Sequence, residues 1–328
     1  MIYLESPSTD PYFNLAMEEY IFSRLDQSKQ YFMLWQNDNT IVVGKYQNTA
    51  EEINQQFVEE HGIKVARRLS GGGAVYHDKG NLNFTFIVDQ RDISDFNFEV
   101  FVIPVIKALQ RIGVHAEFNG RNDITIDGKK FSGNSQYTKH GRILHHGCIM
   151  LDSNLTNVSD ALNVKDAKFE SKGVKSVRSR VTTINAAAPE PVTMKQFKCI
   201  LKDAIAEETP LEPLTLNEAQ MAEVRMLRDS KYATWDWNYG FSPAYEMRRE
   251  KKFPYGLVCV CLSTEHGRIK SLRFYGDFFG NGDLSALEES LVGSRLGEDL
   301  KQRLLQLDLG NYINGTTADD LYRLIMNI

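Results

Sequence analysis

Apolar positions recur along this chain with two periods, and the period changes at turn-forming residues. Residues 2–5 read as a short strand. Asp10 then precedes Pro11, a pair suited to capping and opening a helix, and helical apolar spacing runs from Asn14 to Leu25. Tyr31–Trp35 and Thr40–Gly44 read as neighbouring strands around Asn37-Asp38-Asn39. Thr49-Ala50-Glu51-Glu52 predicts a capping box for a helix reaching His61, with Gly62 just past its end. A strand over 63–69 enters a glycine run, and strands near 73–77 and 82–88 leave it. Phe98–Ile112 is helical in pattern and carries Pro104. Asp123–Ile126 and Lys130–Tyr137 flank Asp127-Gly128, the strongest hairpin signal in the chain. A second hairpin is expected across Lys139-His140-Gly141 into Ile143–Leu151.

The pattern shifts between 187 and 215, where a helix is bracketed by Pro189 and Pro191 before it and Pro210 and Pro213 after it. Met247–Lys252 is polar and basic and reads as a linker. Beyond it, two strands about Glu265-His266-Gly267 are followed by helices, the last after Thr317. The expected organisation is therefore a domain over 1–246, a linker over 247–252 and a small α+β domain over 253–328.

Composition narrows the classes. The 328 residues are 42% hydrophobic and 25% charged, an ordinary globular balance for about two domains. A net charge of −5 argues against a general nucleic-acid binder. The Lys168–Arg180 run is a local basic exception. No apolar stretch approaches the ~20 residues of a membrane span. The first residues lack a basic segment followed by a long apolar one, so no signal peptide is expected. Four scattered cysteines suit a reducing cytoplasm, and Cys259 and Cys261 read as core residues of one strand.

The most informative chemistry lies in Arg67-Arg68-Leu69-Ser70-Gly71-Gly72-Gly73-Ala74-Val75-Tyr76-His77-Asp78. Glycines lack Cβ, so the backbone can take φ > 0 and approach a ligand, leaving N–H groups to form an anion-binding nest. Arginine adds planar donors that fit phosphate or carboxylate oxygens. This suggests capture of an anionic, phosphorylated small molecule; the bland reading is a flexible hairpin tip. The spacing matches neither a P-loop nor a dinucleotide fingerprint. Lys130, at the head of a strand, can stabilise charge on a carboxylate or phosphate, and alternation points Lys129 the other way. Asp123 reads equally as a turn cap. His77, His145 and His146 read as structural histidines, and no metal-binding spacing is present.

Together with Gly120-Arg121-Asn122-Asp123, Gly128–Asn134, His145-His146-Gly147, Lys172–Val181 and Thr234–Gly240, the glycine run resembles the lipoate–protein ligase A family. The similarity keeps family order over most of the chain. It implies an α+β (α/β-like) fold of the biotin–protein-ligase type, with mixed sheets, flanking helices and a small C-terminal accessory domain. It further implies a cytoplasmic, ATP-dependent enzyme that converts lipoate to lipoyl-AMP and pyrophosphate with Mg²⁺, then transfers the lipoyl group to a lysine. The family's acceptors are lipoyl domains of 2-oxoacid dehydrogenase complexes and the glycine-cleavage H protein. By the same resemblance Lys130 is the catalytic lysine contacting lipoate and ATP. Arg68, Gly72 and the backbone of Gly73, Ala74, Val75 and Tyr76 form the adenylate-contacting loop. Asn83 and Asp123 are nucleotide or Mg²⁺ candidates, Ala74-Val75-Tyr76 could line the alkyl tunnel, and Lys172–Arg180 corresponds to a closing loop.

Two rivals stay open. One is an octanoyl or lipoyl transferase of the same fold, which works through a cysteine thioester without ATP. Residues 149–198 hold no cysteine, and Cys148 reads as a buried, inert thiol. The other is a non-catalytic lipoate- or nucleotide-binding module.

Overall fold

Three hairpins close on the same two-residue turn, with both central residues in the left-handed region. These are Asp127-Gly128 (φ 50° and 73°), His140-Gly141 (52° and 74°) and His266-Gly267 (50° and 72°). That geometry matches the right-handed twist of the flanking strands. The computed structural model describes residues 1–90, 97–119, 121–162, 180–240 and 247–327.

The first hairpins belong to an eight-stranded mixed sheet. In chain order the strands are β1 (Ile2–Glu5), β2 (Tyr31–Trp35), β3 (Thr40–Val43), β4 (Lys64–Arg67) and β5 (Val75–His77). There follow β6 (Asn81–Asp89), β7 (Glu117–Phe118), β8 (Asp123–Ile126), β9 (Lys129–Lys139), β10 (Arg142–Met150) and β11 (Glu212–Pro213). The large sheet runs β11-β1-β2-β6-β10-β9-β8-β7, and a small sheet β4-β3-β5 carries the glycine run between β4 and β5. Helices Glu99–Gln110 and Met194–Ala206 cover one face of the large sheet, burying Phe84, Phe86 and Phe131. Helix Pro11–Arg24 covers the other, over Met33, Trp35 and Leu144. The fold is thus α+β with flanking helices, as expected.

Two expectations change. The helix expected over 49–61 is two short helices, Thr49–Glu52 and Gln55–Glu60. The Thr49 hydroxyl does not cap; it donates to the Asn238 carbonyl (2.6 Å) and accepts from Arg67 (2.7 Å). Asn54 instead caps the second piece through the Phe57 N–H, a side-chain bond that competes with helix continuation. Second, Met247–Phe253, read as the linker over 247–252, is a strand, β12. It pairs with β13 (Gly256–Glu265), which pairs with β14 (Arg268–Gly276). Its Arg-Arg-Glu-Lys-Lys run looks like a linker because edge strands carry charge. Helices after residue 283 pack on this sheet over Val258, Val260 and Leu262.

Candidate active site

Directly paired residues on neighbouring strands share a face, so the sheet register defines a row. Trp35 pairs with Asn83, Asn83 with Cys148, Cys148 with Gly133, and Gly133 with Asp123. This row crosses five strands from an indole to a carboxylate. The next row on that face is Met33, Thr85, His146 and Ser135. Above these rows lies a cleft roofed by Leu15, Val42 and the loop Gly72–Val75.

Lys130 reaches the floor through a β-bulge. Thr125 pairs with Lys130 and Ile124 with Ser132, so Phe131 is the extra residue. Phe131 and Ser132 both lie buried, and the alternation resets across them. Lys130 therefore comes to the same face as Gly133, three residues on. A Cβ on Gly133 would meet the Lys130 Nζ at 2.9 Å and Cε at 3.0 Å, so only glycine leaves the ammonium its place. The Nζ lies 2.7 Å from Asp123 Oδ1, with the lysine side chain 35% exposed. Its backbone is clamped as well: the Lys130 N–H donates to the Arg180 carbonyl (2.8 Å) and its carbonyl accepts from the Thr182 N–H (2.9 Å).

The glycine loop is held from within. Arg68 is buried, and its Nη2 donates to the carbonyls of Gly71 (2.7 Å) and Gly73 (2.8 Å). Nη1 donates to the Val42 carbonyl (3.2 Å), and Nε to Ser70 Oγ (3.2 Å). Burial lowers this guanidinium to about 10, so it remains charged at neutral pH. Arg67 is more deeply buried and donates to the carbonyls of Gly44, Gln47, Trp237 and Asn238. Gly72 takes φ 90°, and its N–H donates to the Phe278 carbonyl (3.3 Å). One of the amides expected in an anion nest is thus bonded to the C-terminal domain. A Cβ on Gly71 would collide with that same carbonyl.

A buried polar chain ties loop to floor. Ser70 Oγ lies 2.6 Å from His146 Nε2, and His146 Nδ1 lies 2.9 Å from Glu18 Oε1. Glu18 also accepts from Thr85 (2.6 Å), which accepts from Trp35 Nε1 (2.9 Å). Ser135 donates to the Gly71 carbonyl (2.8 Å). His145 points to the opposite face, stacked on Phe101 at 4.3 Å, and is structural as the sequence suggested.

Of the residues singled out in sequence, Arg68, Gly72, Gly73, Ala74, Val75, Asn83 and Lys130 line the cleft, and Asp123 reaches it through Lys130. Tyr76 does not: alternation turns its side chain away, to a hydrogen bond with Asn39 (2.9 Å). Val75 and His77 face the cleft on either side of it. His77 and His146, read as structural, both line the site, and Cys148 is half-buried at the cleft rather than sealed in the core. Burial pushes the Cys148 thiol up, away from the thiolate a transferase nucleophile needs. Sequence reasoning missed Trp35 and Leu15; their only signal was an apolar residue on the same face as Asn83, which requires the register. The closing loop expected at Lys172–Arg180, apart from Arg180, and Gly120 lie outside the described residues. Among the described residues no cluster of three metal-ligating side chains occurs, and no helix is long and apolar enough to cross a membrane.

The lipoyl protein ligase A/B catalytic domain family matches residues 10–206, and the bacterial lipoate protein ligase C-terminus family matches residues 242–325. The chain is 44% identical over 318 residues to Lipoate–protein ligase 1 of Staphylococcus aureus, covering 97% of each. It is 42% identical over 330 residues to lipoate-protein ligase LplJ of Bacillus subtilis, covering 99% of this chain and 100% of the relative. Among solved structures it is similar to P. falciparum LipL1 in complex with lipoate, at TM-score 0.80 and 23% identity, over 100% of this chain and 99% of that one. An archaeal bi-partite lipoate protein ligase, from a Thermoplasma acidophilum system with an E2 lipoyl domain, matches at TM-score 0.66 and 28% identity, over 75% and 98%. A lipoate-protein ligase A bound with ATP matches at TM-score 0.63 and 26% identity, over 74% and 98%.

Proposed function

Because the chain belongs to the lipoate–protein ligase family, we propose that it activates lipoate with ATP in this cleft and passes the lipoyl group to a protein lysine. The observation that carries this reading is the placement of Lys130. Its ammonium lies over Gly133, at the charged end of a floor that begins with Trp35. An acid laid along that floor puts its alkyl tail among Leu15, Trp35 and Val42 and its carboxylate beside Lys130.

In the first step a lipoate carboxylate oxygen attacks the α-phosphorus of ATP. The new O–P bond forms as the bond to the β-phosphate oxygen breaks, and pyrophosphate leaves. Lys130 neutralises charge that passes from the carboxylate to the phosphoryl oxygens, and the Arg68-held loop fixes the backbone against which the nucleotide lies. In the second step the uncharged ε-amine of an acceptor lysine attacks the acyl carbon; AMP departs and the amine proton goes to solvent or phosphate. Asp123 is the carboxylate at this end. One carboxylate suffices for Mg²⁺ when substrate phosphates supply the other oxygens, so the donor set fits a metal that arrives with ATP and neutralises its phosphates. The acceptors of this reading are lipoyl domains and the glycine-cleavage H protein, and its compartment is the cytoplasm.

The test is lipoate-dependent exchange of labelled pyrophosphate into ATP by the pure protein without any acceptor. Exchange that requires lipoate supports the reading. Full acyl transfer from an octanoyl carrier protein in the absence of nucleotide overturns it.

A further inference from the structure

The tail end of the cleft is not uniformly apolar. His77 and Asn83 line it, both almost wholly buried, and neither His77 Nε2 nor Asn83 Nδ2 has a hydrogen-bond partner. The tautomer of His77 follows from its neighbours. Asn14 Nδ2 donates to the Gln36 carbonyl (2.7 Å) and to Asn37 Oδ1 (2.9 Å), which leaves Asn37 Nδ2 as a donor toward His77 Nδ1 (3.2 Å). His77 Nδ1 is thus the acceptor, and Nε2 carries the proton. Asn83 has its carbonyl oxygen bonded by Asn81 Nδ2 (3.0 Å), which turns its amide nitrogen outward.

Their place along the floor fixes what they meet. The His77 ring lies 6.5 Å from the Trp35 ring, and Asn83 is the strand neighbour of Trp35. Gly133, under the Lys130 ammonium, is three strand spacings from Trp35, roughly 14 Å. Resting on the proposed function, this sets the two N–H groups beside the distal ring of the bound acid rather than its carboxylate.

We propose that His77 Nε2–H and the Asn83 amide determine specificity by donating to the sulfur atoms of the dithiolane, favouring it over an all-carbon ring of the same shape. A thioether-like sulfur is a weak acceptor, but it is an acceptor. A methylene in its place leaves both donors desolvated and unpaired, and that asymmetry is what discriminates. The indole and aliphatic walls accept either ring, so shape alone does not separate them.

The comparison uses lipoate and 5-cyclopentylpentanoate, its carbocyclic isostere, in the pyrophosphate-exchange assay. The intact wild-type chain should favour lipoate in kcat/KM by about tenfold or more. His77→Phe and Asn83→Leu should each shrink that ratio about three- to tenfold. Asn83→Leu decides the matter if His77→Phe melts early. A wild-type ratio near one overturns the proposal. So does a parallel fall for both acids with the ratio unmoved, which would assign the donors to the common carboxyl end. If the wild type activates neither acid, the proposed function has failed, and that result is distinct from either of these.

Discussion

Arginine and lysine meet across this cleft, and the protein uses them in opposite ways. On the loop side, Arg68 is buried with its donors turned to backbone carbonyls and a serine. Arg67 beside it is 1% exposed and joins β4 to Gly44–Gln47 and to Trp237 and Asn238. On the sheet side, Lys130 is 35% exposed and faces one carboxylate. Fixed carbonyls around a guanidinium make it part of the framework; a half-exposed ammonium on a bulge can exchange its partner for substrate. Adjacent cations in a motif therefore need not share a role. Their burial separates them.

The comparison breaks most visibly at Arg67. Arg67→Met leaves several buried carbonyls without donors and should cost about 3–5 kcal/mol of folding stability, read by chemical denaturation. An unchanged midpoint would remove the framework role. Lys130→Ala should lose at least ~100-fold in lipoate-dependent exchange while melting like wild type, because the lost group serves charge in transit. A melting loss as large as that of Arg67→Met would mean that the two cations are alike after all.

The third expectation concerns pH. Burial, then Arg68 and His146, lowers His77 from 6.5 to about 3. A depressed value means that the folded state resists a proton the unfolded chain accepts. The associated stability is complete above pH 6.5 and is lost as pH falls from 6.5 toward 3. At pH 5 this one group accounts for about 2 kcal/mol, and buried His145 shifts in the same direction. Denaturation midpoints of wild type and His77→Gln at pH 7 and pH 5 should show a smaller drop for the variant. Equal drops would place the acid sensitivity elsewhere. The smallest effect belongs to Lys129→Ala. Its exposed side chain is on the far side of the alternation, and exchange should stay within about twofold of wild type.

Much of this was legible in the chain because it is local. Asp127-Gly128 and His140-Gly141 announce their hairpins, and Pro11 and Gly62 mark helix ends through backbone preferences a single residue carries. The glycine run and Lys130 were visible for the same reason. What could not be read depends on register. Nothing near Trp35 says that it opposes Asn83, or that Asn83 opposes Cys148; those pairings join residues far apart in sequence. The placement of Lys130 on the cleft face rests on an extra residue at Phe131, whereas simple alternation would have set it on the face opposite Gly133. Met247–Lys252 was misread because a charged edge strand and a linker have the same composition.

The floor of the cleft and the main core are written on alternate residues of the same strands: Asn83 beside Phe84, Cys148 beside Ile149. A one-residue insertion in β6 would exchange the two faces together, moving Phe84 into the cleft and Asn83 into the core. Lineages of this protein can therefore retune the acid they accept by substitution, one position at a time. They cannot do so by adding or removing a single strand residue, since that change rewrites the ligand surface and the fold at once.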